Sequence, residues 1–326
     1  MDVEKLLLEF LKIKSMSGNE IDFCNFLFDF LKGKGLDPQK DIIDSNGFNI
    51  ILKNGNPKIY LSAHMDTVRD FLKIREDDEY LYGRGACDTK GSLAAMLVAY
   101  FNCLKKDIKD FGMIFTIREE TDFKGVKSVF KKEDIPFVVV GEPTKLNLIY
   151  GNFGALVLKI STVGVSCHSS VPENGKNALE DMIEAINLVR GIKIEEGTLM
   201  SIVDFHSGIA SNIIPDKAEA FVSFRIDPND SSDYFALIGR LLEGKAKVEK
   251  VFEIEGVINE VPEEFSFIKK REIKKYLTEL SVYRRGVVIG PGDSKFAHSE
   301  EEKIKKDELR KAVGVYEKII NNYCNK

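Results

Sequence analysis

The sequence predicts an α/β protein: a mixed, mostly parallel sheet flanked by helices, with an α+β unit inserted into it. Two observations carry this reading. Before residue 152, and again after Pro262, apolar runs of strand length alternate with helical stretches, the pattern of βαβ units. Between them the order becomes β-α-β-β-α-β, which matches a split βαβ unit with an antiparallel sheet and helices on one face. The expected boundaries are therefore 1–151 with 261–326 for a discontinuous main domain, and 152–260 for the insert.

Met1 to Lys14 spaces its apolar residues at helical intervals with charges between them, so it reads as an amphipathic helix. It lacks the unbroken apolar centre of a secretory signal. A turn over 15–20 follows, where Ser17 and Glu20 fit a capping box for a second helix through Phe30 that Gly33 and Gly35 end. Phe48 to Leu52 and Ile59 to Ala63 are β-type runs, and Tyr80 to Gly85 closes another strand and opens the Gly-rich loop Gly83–Gly91. Ser92 to Leu104 is almost wholly apolar, as expected of a helix buried against a sheet. Met113 to Ile117 and Phe137 to Val140 are further strands, with a helix from Lys124 to Phe130 between them.

In the insert, strands are expected at Leu156 to Val165, Leu199 to Phe205, Ala218 to Ile226 and around Val248 to Ile254. Helices are expected at Asn177 to Val189 and Ser232 to Leu242, which makes the unit ferredoxin-like in order. After Pro262 a helix is expected over Phe267 to Leu280, then a buried strand Gly286 to Ile289, and a C-terminal helix from about Glu300 to Asn321.

Composition narrows the function classes. With 44% hydrophobic and 30% charged residues, the chain reads as an ordinary soluble globular protein. Its formal charge of −5 is spread along the chain, and no basic stripe or aromatic platform points to nucleic acid. No apolar run approaches the ~20 residues needed to span a bilayer. The five cysteines are scattered without a Cys-x-x-Cys pair, so a reducing cytoplasm is expected rather than a disulfide framework.

The chemistry sits at the strand ends. His64, Glu119, Glu120, Glu142 and His298 each fall just past an apolar strand, and Asp88 lies in the Gly-rich loop. In parallel sheets, sites lie outside the carboxyl ends of the strands, so these side chains are expected to converge. Mixed imidazole and carboxylate donors suit zinc, manganese or cobalt better than calcium or an iron–sulfur cluster. Asp66, two residues beyond His64, fits a partner that accepts the distal N–H of the His64 ring.

The segments Ser62–Val68, Gly83–Gly91, Glu119-Glu120 and Gly141-Glu142-Pro143 resemble the signature of the co-catalytic zinc amidohydrolases and peptidases. That family includes acetylornithine deacetylase, succinyl-diaminopimelate desuccinylase, aminoacylases and glutamate carboxypeptidases. Gly290 to Ser299 most resembles the branch that releases lysine or ornithine from an N-acyl or carrier-protein-linked precursor. The resemblance implies a zinc-peptidase-like main domain holding two zinc ions per chain, for which cobalt can substitute. It implies that Asp88 bridges them, that His64 and Glu142 complete one and Glu120 and His298 the other, and that Glu119 is the general base. It further implies a homodimer through the insert, with His168 reaching a partner's site to steady the oxyanion, and Asn212 and Arg225 gripping substrate oxygens. Arg suits that task through its bidentate fork. Dipeptidases and carboxypeptidases on the same scaffold would share every ligand. A catalytically silent, metabolite-binding relative would be marked by a missing ligand or base, and none is missing. One stretch departs from the branch: Leu280 to Gly286 stands where a Gly-Thr-(Ser/Ala)-Asp-type segment is usual, which leaves the substrate open, with Arg284 and Arg285 as candidate anion contacts. His206 matches no motif.

Overall fold

The computed structural model describes residues 1–325. The chain forms two compact units, one comprising Met1–Gly151, Ile258–Lys274 and the chain from Thr278 onward, the other Asn152–Val257 and Lys275–Leu277.

In the first unit the centre of the main sheet is parallel. Phe111–Thr116, Ile59–His64, Val138–Val140 and Gly286–Val288 lie side by side in that order, all running the same way. Gln39–Asp44 and Gly47–Asn54 extend one side antiparallel, and Leu148–Asn152 extends the other. The alternation of strand side chains then sorts the two faces. Ile59, Leu61 and Ala63 join a core with residues of the helices Val3–Leu11, Ile21–Gly33, Lys90–Lys105 and Lys306–Cys324. Lys90–Lys105 is buried along nearly its whole length, which explains why its sequence is apolar all round. Ser62 turns the other way, towards the one-turn helix Leu280–Tyr283. A small sheet of Lys303–Lys305, Tyr80–Tyr82 and Arg75–Glu76 completes the unit.

The second unit is a four-stranded antiparallel sheet in the order Leu199–Ser207, Lys217–Ile226, Gly154–Val163, Lys247–Ile254. Ala218, Ala220, Val222 and Phe224 alternate with half-exposed neighbours and pack with Met182, Ala185, Ile186 and Val189 of the helix Ala178–Arg190. The helix Tyr234–Leu241 closes the same core through Tyr234 and Ile238.

Three local expectations fail, each for a tertiary reason. Phe267–Leu280 is not a helix: Arg271–Lys274 forms a strand against Leu148–Asn152, because the sheet edge offers unpaired backbone groups that outweigh local propensity. The C-terminal helix begins at Lys306 rather than near Glu300, since Lys303–Lys305 pairs with Tyr80–Tyr82. Ser17 caps no helix: its hydroxyl pairs with that of Thr121, while Glu20 accepts the Gly18 amide and the second helix starts at Ile21. No helix among the described residues is long and apolar enough to cross a membrane.

Candidate metal centre

The four central strands end at one edge of the sheet, and the chain leaves each of them carrying a metal-type side chain. Ile59–His64 ends on His64 itself; Phe111–Thr116 is followed by Glu119 and Glu120, Val138–Val140 by Glu142, and Gly286–Val288 by the loop to His298. Asp88 arrives differently, from the Gly-rich loop just before the helix Lys90–Lys105, across a cis peptide bond to Thr89. Close packing holds the return loop in place. Gly292 has φ +99°, and a Cβ there would come within 2.8 Å of the Cys87 Cβ, so only glycine lets this loop lie against the one that bears Asp88.

These residues converge. Ligand-type atoms of His64, Asp88 and Glu142, of Asp88, Glu120 and His298, and of His64, Glu119 and Glu120 each lie within 4.8 Å of one another. Asp88 belongs to two of the groups and presents a different oxygen to each. Its Oδ1 is 3.2 Å from His64 Nε2, and its Oδ2 is 3.2 Å from His298 Nε2. His298 Nε2 is also 2.9 Å from Glu120 Oε1, and His64 Nε2 is 3.8 Å from Glu142 Oε1.

The protonation equilibria reflect four carboxylates crowded around two imidazoles. Burial would raise Asp88, yet hydrogen bonds from His298 and His64 hold it well below the usual carboxylate range. Burial, with repulsion from Glu142, Glu120 and Asp88, pushes Glu119 well up. Burial and the charge of Asp88 do the same to Glu142. Burial would lower His64, but the nearby Asp66 and Asp88 carboxylates lift it above its ordinary value. Hydrogen bonds to Asp88 and Glu120 push His298 to about 10. The cluster therefore favours positive charge.

The donor set fits divalent cations. Imidazole nitrogens and carboxylate oxygens in two groups sharing one carboxylate are the chemistry such ions take. Glu142 Oε1 is buried without a hydrogen-bond partner among the described residues, a costly state for a carboxylate that no ion satisfies. His64 Nε2 faces Asp88, and its Nδ1 is fixed by a main-chain oxygen, so the ring's orientation is set from behind.

That oxygen belongs to Asp66, the residue expected to accept from the ring, but it is the main-chain one. His64 Nδ1 is 2.9 Å from the Asp66 carbonyl, whereas its carboxylate Oδ1 lies 3.6 Å away, beyond hydrogen-bond range. The Asp66 carboxylate instead accepts the amides of Glu119 and Glu120, each at 3.1 Å. It tethers the peptide that carries both glutamates.

The remaining candidates lie in the second unit. His168 is exposed, with Nδ1 accepting the Ser170 amide, and it pairs in a β-bridge with Ile213 next to Asn212, whose carbonyl accepts the Ser169 amide. Arg225 is half-buried on Lys217–Ile226, opposite Leu199 and Ala155. His206 is exposed and pairs with Asp204 at 2.9 Å. Arg284 and Arg285, in the first unit, are exposed after the one-turn helix.

Two groups of residues escaped the sequence reading. Glu279, fully buried, accepts from Ser62 Oγ at 3.3 Å, and that hydroxyl also meets Tyr283 Oη at 3.0 Å. Burial pushes its carboxyl up to about 7. Only its position among apolar neighbours, between Leu277 and Leu280, hinted at an inward direction. Glu302 and Arg84 form a buried ion pair at 2.7 Å; the sole sequence hint was an acidic residue one step before the alternating Lys303-Ile304-Lys305.

Comparison with known proteins agrees with this geometry. The chain is 28% identical over 360 residues to a probable carboxypeptidase of Aspergillus clavatus, covering 96% of this chain and 86% of that one. Its fold is similar to that of a tripeptidase from Staphylococcus aureus, with TM-score 0.86 and 22% identity over 100% of this chain and 98% of that one. A Bacillus subtilis protein described as a dinuclear metal binding peptidase from the M20 family superposes with TM-score 0.74 at 14% identity, covering 99% and 98% of the two chains. Residues 60–322 match the model of peptidase family M20/M25/M40, and the chain thus belongs to that family of metal-dependent hydrolases acting on amide bonds.

Proposed function

We propose that this protein uses two zinc ions to hydrolyse an amide and free an amino acid, with an N-acylated or carrier-linked lysine or ornithine as substrate. The observation that carries the two-metal reading is the Asp88 carboxylate, which turns one oxygen to His64 and the other to His298. His64 and Glu142 would complete one ion's shell, Glu120 and His298 the other's. When bound, two divalent ions supply Lewis acidity and lower the pKa of a water between them from ~15.7 towards neutrality.

The chain's own residues supply proton transfer and orientation. The resemblance makes Glu119 the base rather than a ligand, and it lies in the same cluster as His64 and Glu120. Its side chain would take a proton from the attacking water and return it to the departing amine. Its raised proton affinity suits that exchange. Asp66 holds the Glu119 and Glu120 amides and so fixes the base relative to a ligand. His168 would donate to the developing oxyanion of a partner subunit, a contribution of ~3–4 kcal/mol in comparable enzymes. Asn212 and Arg225 would hold substrate oxygens. The inserted unit would act as lid and dimerisation surface: its edge strand Leu199–Ser207 exposes Leu199, Ile202, Val203 and Phe205, apolar side chains along an edge that a second copy could cover.

The preference for lysine or ornithine rests on the likeness of Gly290–Ser299 to that branch. A carboxypeptidase or short-peptide hydrolase is the second reading, favoured by the names of the Aspergillus relative and the Staphylococcus neighbour. A hydrolysis panel separates them: N-acetyl, N-succinyl and γ-glutamyl amides of lysine, ornithine and diaminopimelate beside di- and tripeptides, each with zinc and with cobalt. Deacylation is expected to dominate; turnover confined to the peptides would replace it with the second reading. For the trans role of His168, mixing Glu119→Gln with His168→Ala chains should restore activity in heterodimers. No recovery after confirmed subunit exchange would remove it.

A further inference from the structure

We infer that Glu302 and Arg84 are positioning residues, a buried clamp that sets the distance between the loop bearing Asp88 and the loop bearing His298. The inference rests on the two-metal reading above, because it is the shared ion's ligands that the clamp would hold in register.

Glu302 is 1% exposed and Arg84 9%. The carboxylate is fully used. Its Oε1 accepts two successive amides, Cys87 at 3.2 Å and Asp88 at 3.1 Å, and its Oε2 accepts Arg84 Nη1 at 2.7 Å. Arg84 Nη1 also donates to the carbonyl of Ser299, the residue after His298, at 3.2 Å, and Nε donates to the Asp70 carbonyl at 3.1 Å. The main chain repeats the link, with the Gly83 amide donating to the Glu302 carbonyl at 3.1 Å. One carboxylate and one guanidinium thus tie the start of the Asp88 loop, and the Cys87–Asp88 amides within it, to the segment that directly follows His298.

The placement argues for geometry over stability. A buried ion pair adds little to stability, since desolvation offsets its attraction, and an apolar pair of similar shape would serve a core as well. An apolar pair could not take up two adjacent amides and a carbonyl. The Asp88 loop has glycines at 83, 85 and 91, so its backbone has little rigidity of its own. His298 stands outside regular structure at φ +60°, with its side chain half exposed. Two such ligands meet at one point only if something outside the site fixes their separation. The clamp does so while touching neither side chain.

The test is metal titration of the full-length metal-free protein with Co²⁺, followed by its visible absorption and by metal analysis, alongside turnover at rising metal concentration. Wild type should take two ions. Glu302→Gln keeps the shape but loses the charge, and Arg84→Met keeps the stem but loses the fork. Each should weaken the ion held by Asp88, Glu120 and His298 by about 10–100-fold, the range for residues that orient ligands. The ion at His64 and Glu142 should weaken less, and excess metal should recover turnover. Variants that melt at lower temperature yet bind both ions with wild-type affinity would overturn the clamp and leave Glu302 a structural residue. If Arg84→Met fails to fold, the near-isosteric Glu302→Gln decides. A wild type that binds fewer than two ions would instead overturn the two-metal reading, and the clamp with it.

Discussion

Replacing Asp66 by asparagine separates two accounts of that residue. If its carboxylate steadied the His64 ring, the variant would lose metal affinity at His64. The structure assigns the ring to the Asp66 carbonyl, which the substitution leaves in place. The carboxylate, fully buried, accepts the Glu119 and Glu120 amides, both at 3.1 Å. Hydrogen bonds to a charged acceptor contribute about 1.5–3 kcal/mol each. Asparagine keeps one carbonyl acceptor but turns an NH₂ towards the other amide, so one bond is lost and two donors face each other. We expect a loss of about 2–4 kcal/mol, and about 3–6 kcal/mol for Asp66→Ala, where both bonds go. The peptide so released carries Glu119, the proposed base, and a shift of about 1 Å at a reacting group can cost ~100-fold in rate. Urea unfolding of the metal-free protein reads the first effect and kcat with metal in excess reads the second. A variant within ~0.5 kcal/mol of wild type, the range of an ordinary surface change, would refute this assignment. So would normal kcat combined with weakened metal binding.

Other perturbations act on single groups. Glu119→Gln should retain both ions by metal analysis while kcat falls about 10²–10⁴-fold, the usual contribution of a general base; unchanged turnover would move that role elsewhere. Asp88→Ala removes the carboxylate common to two clusters, so metal per chain should fall below two, and undiminished content would exclude a bridge. Glu279 gives a pH signature in the metal-free protein. Burial favours the neutral form and pushes its carboxyl up to about 7 in the fold, against an ordinary 4.5. The fold therefore holds a proton that the unfolded chain releases. This contribution is fully present below pH 4.5 and is lost as pH climbs through 7, roughly 3 kcal/mol in all. Glu279→Gln should lose less stability than wild type between pH 5 and 8 by urea midpoints; equal slopes would show that the carboxyl is not held neutral.

Much of the frame was legible because it repeats a simple physical pattern. Val138–Val140 is buried on both faces and reads as an unbroken apolar run, and Glu142 follows it, so both strand and side-chain position come from one signal. The same holds for Ile59–His64. Ala218, Ala220, Val222 and Phe224 gave the second unit's sheet through strict alternation. What was hidden depends on partners distant in the chain. Arg271–Lys274 has helix-compatible neighbours, and nothing local announces that Leu148–Asn152 offers it an edge. Asp66 stands at the right spacing to reach His64, but which of its oxygens does so is decided by where the Glu119 and Glu120 amides lie, 53 and 54 residues on. Glu302 and Glu279 are acidic residues in charged or mixed surroundings, and their burial exists only in three dimensions.

The ligand-type cluster also explains why so much of the protein's polar wiring sits behind it. Four carboxylates brought together in a largely buried site repel one another, which adds to the burial that raises Glu119 and Glu142. Left to itself such a cluster would spread. Besides the pairing of the two imidazoles with Asp88 and Glu120, the chain limits spreading by fixing backbones: Asp66 holds the amides of Glu119 and Glu120, Glu302 those of Cys87 and Asp88, and the Thr89 hydroxyl holds the carbonyl of Gly141. Cations binding to a cluster kept compact in this way relieve repulsion already present in the fold. Bound ions should therefore raise stability by RT ln(1 + [metal]/Kd), about 2.7 kcal/mol at 100 times Kd. Part of their affinity originates in residues that never touch them.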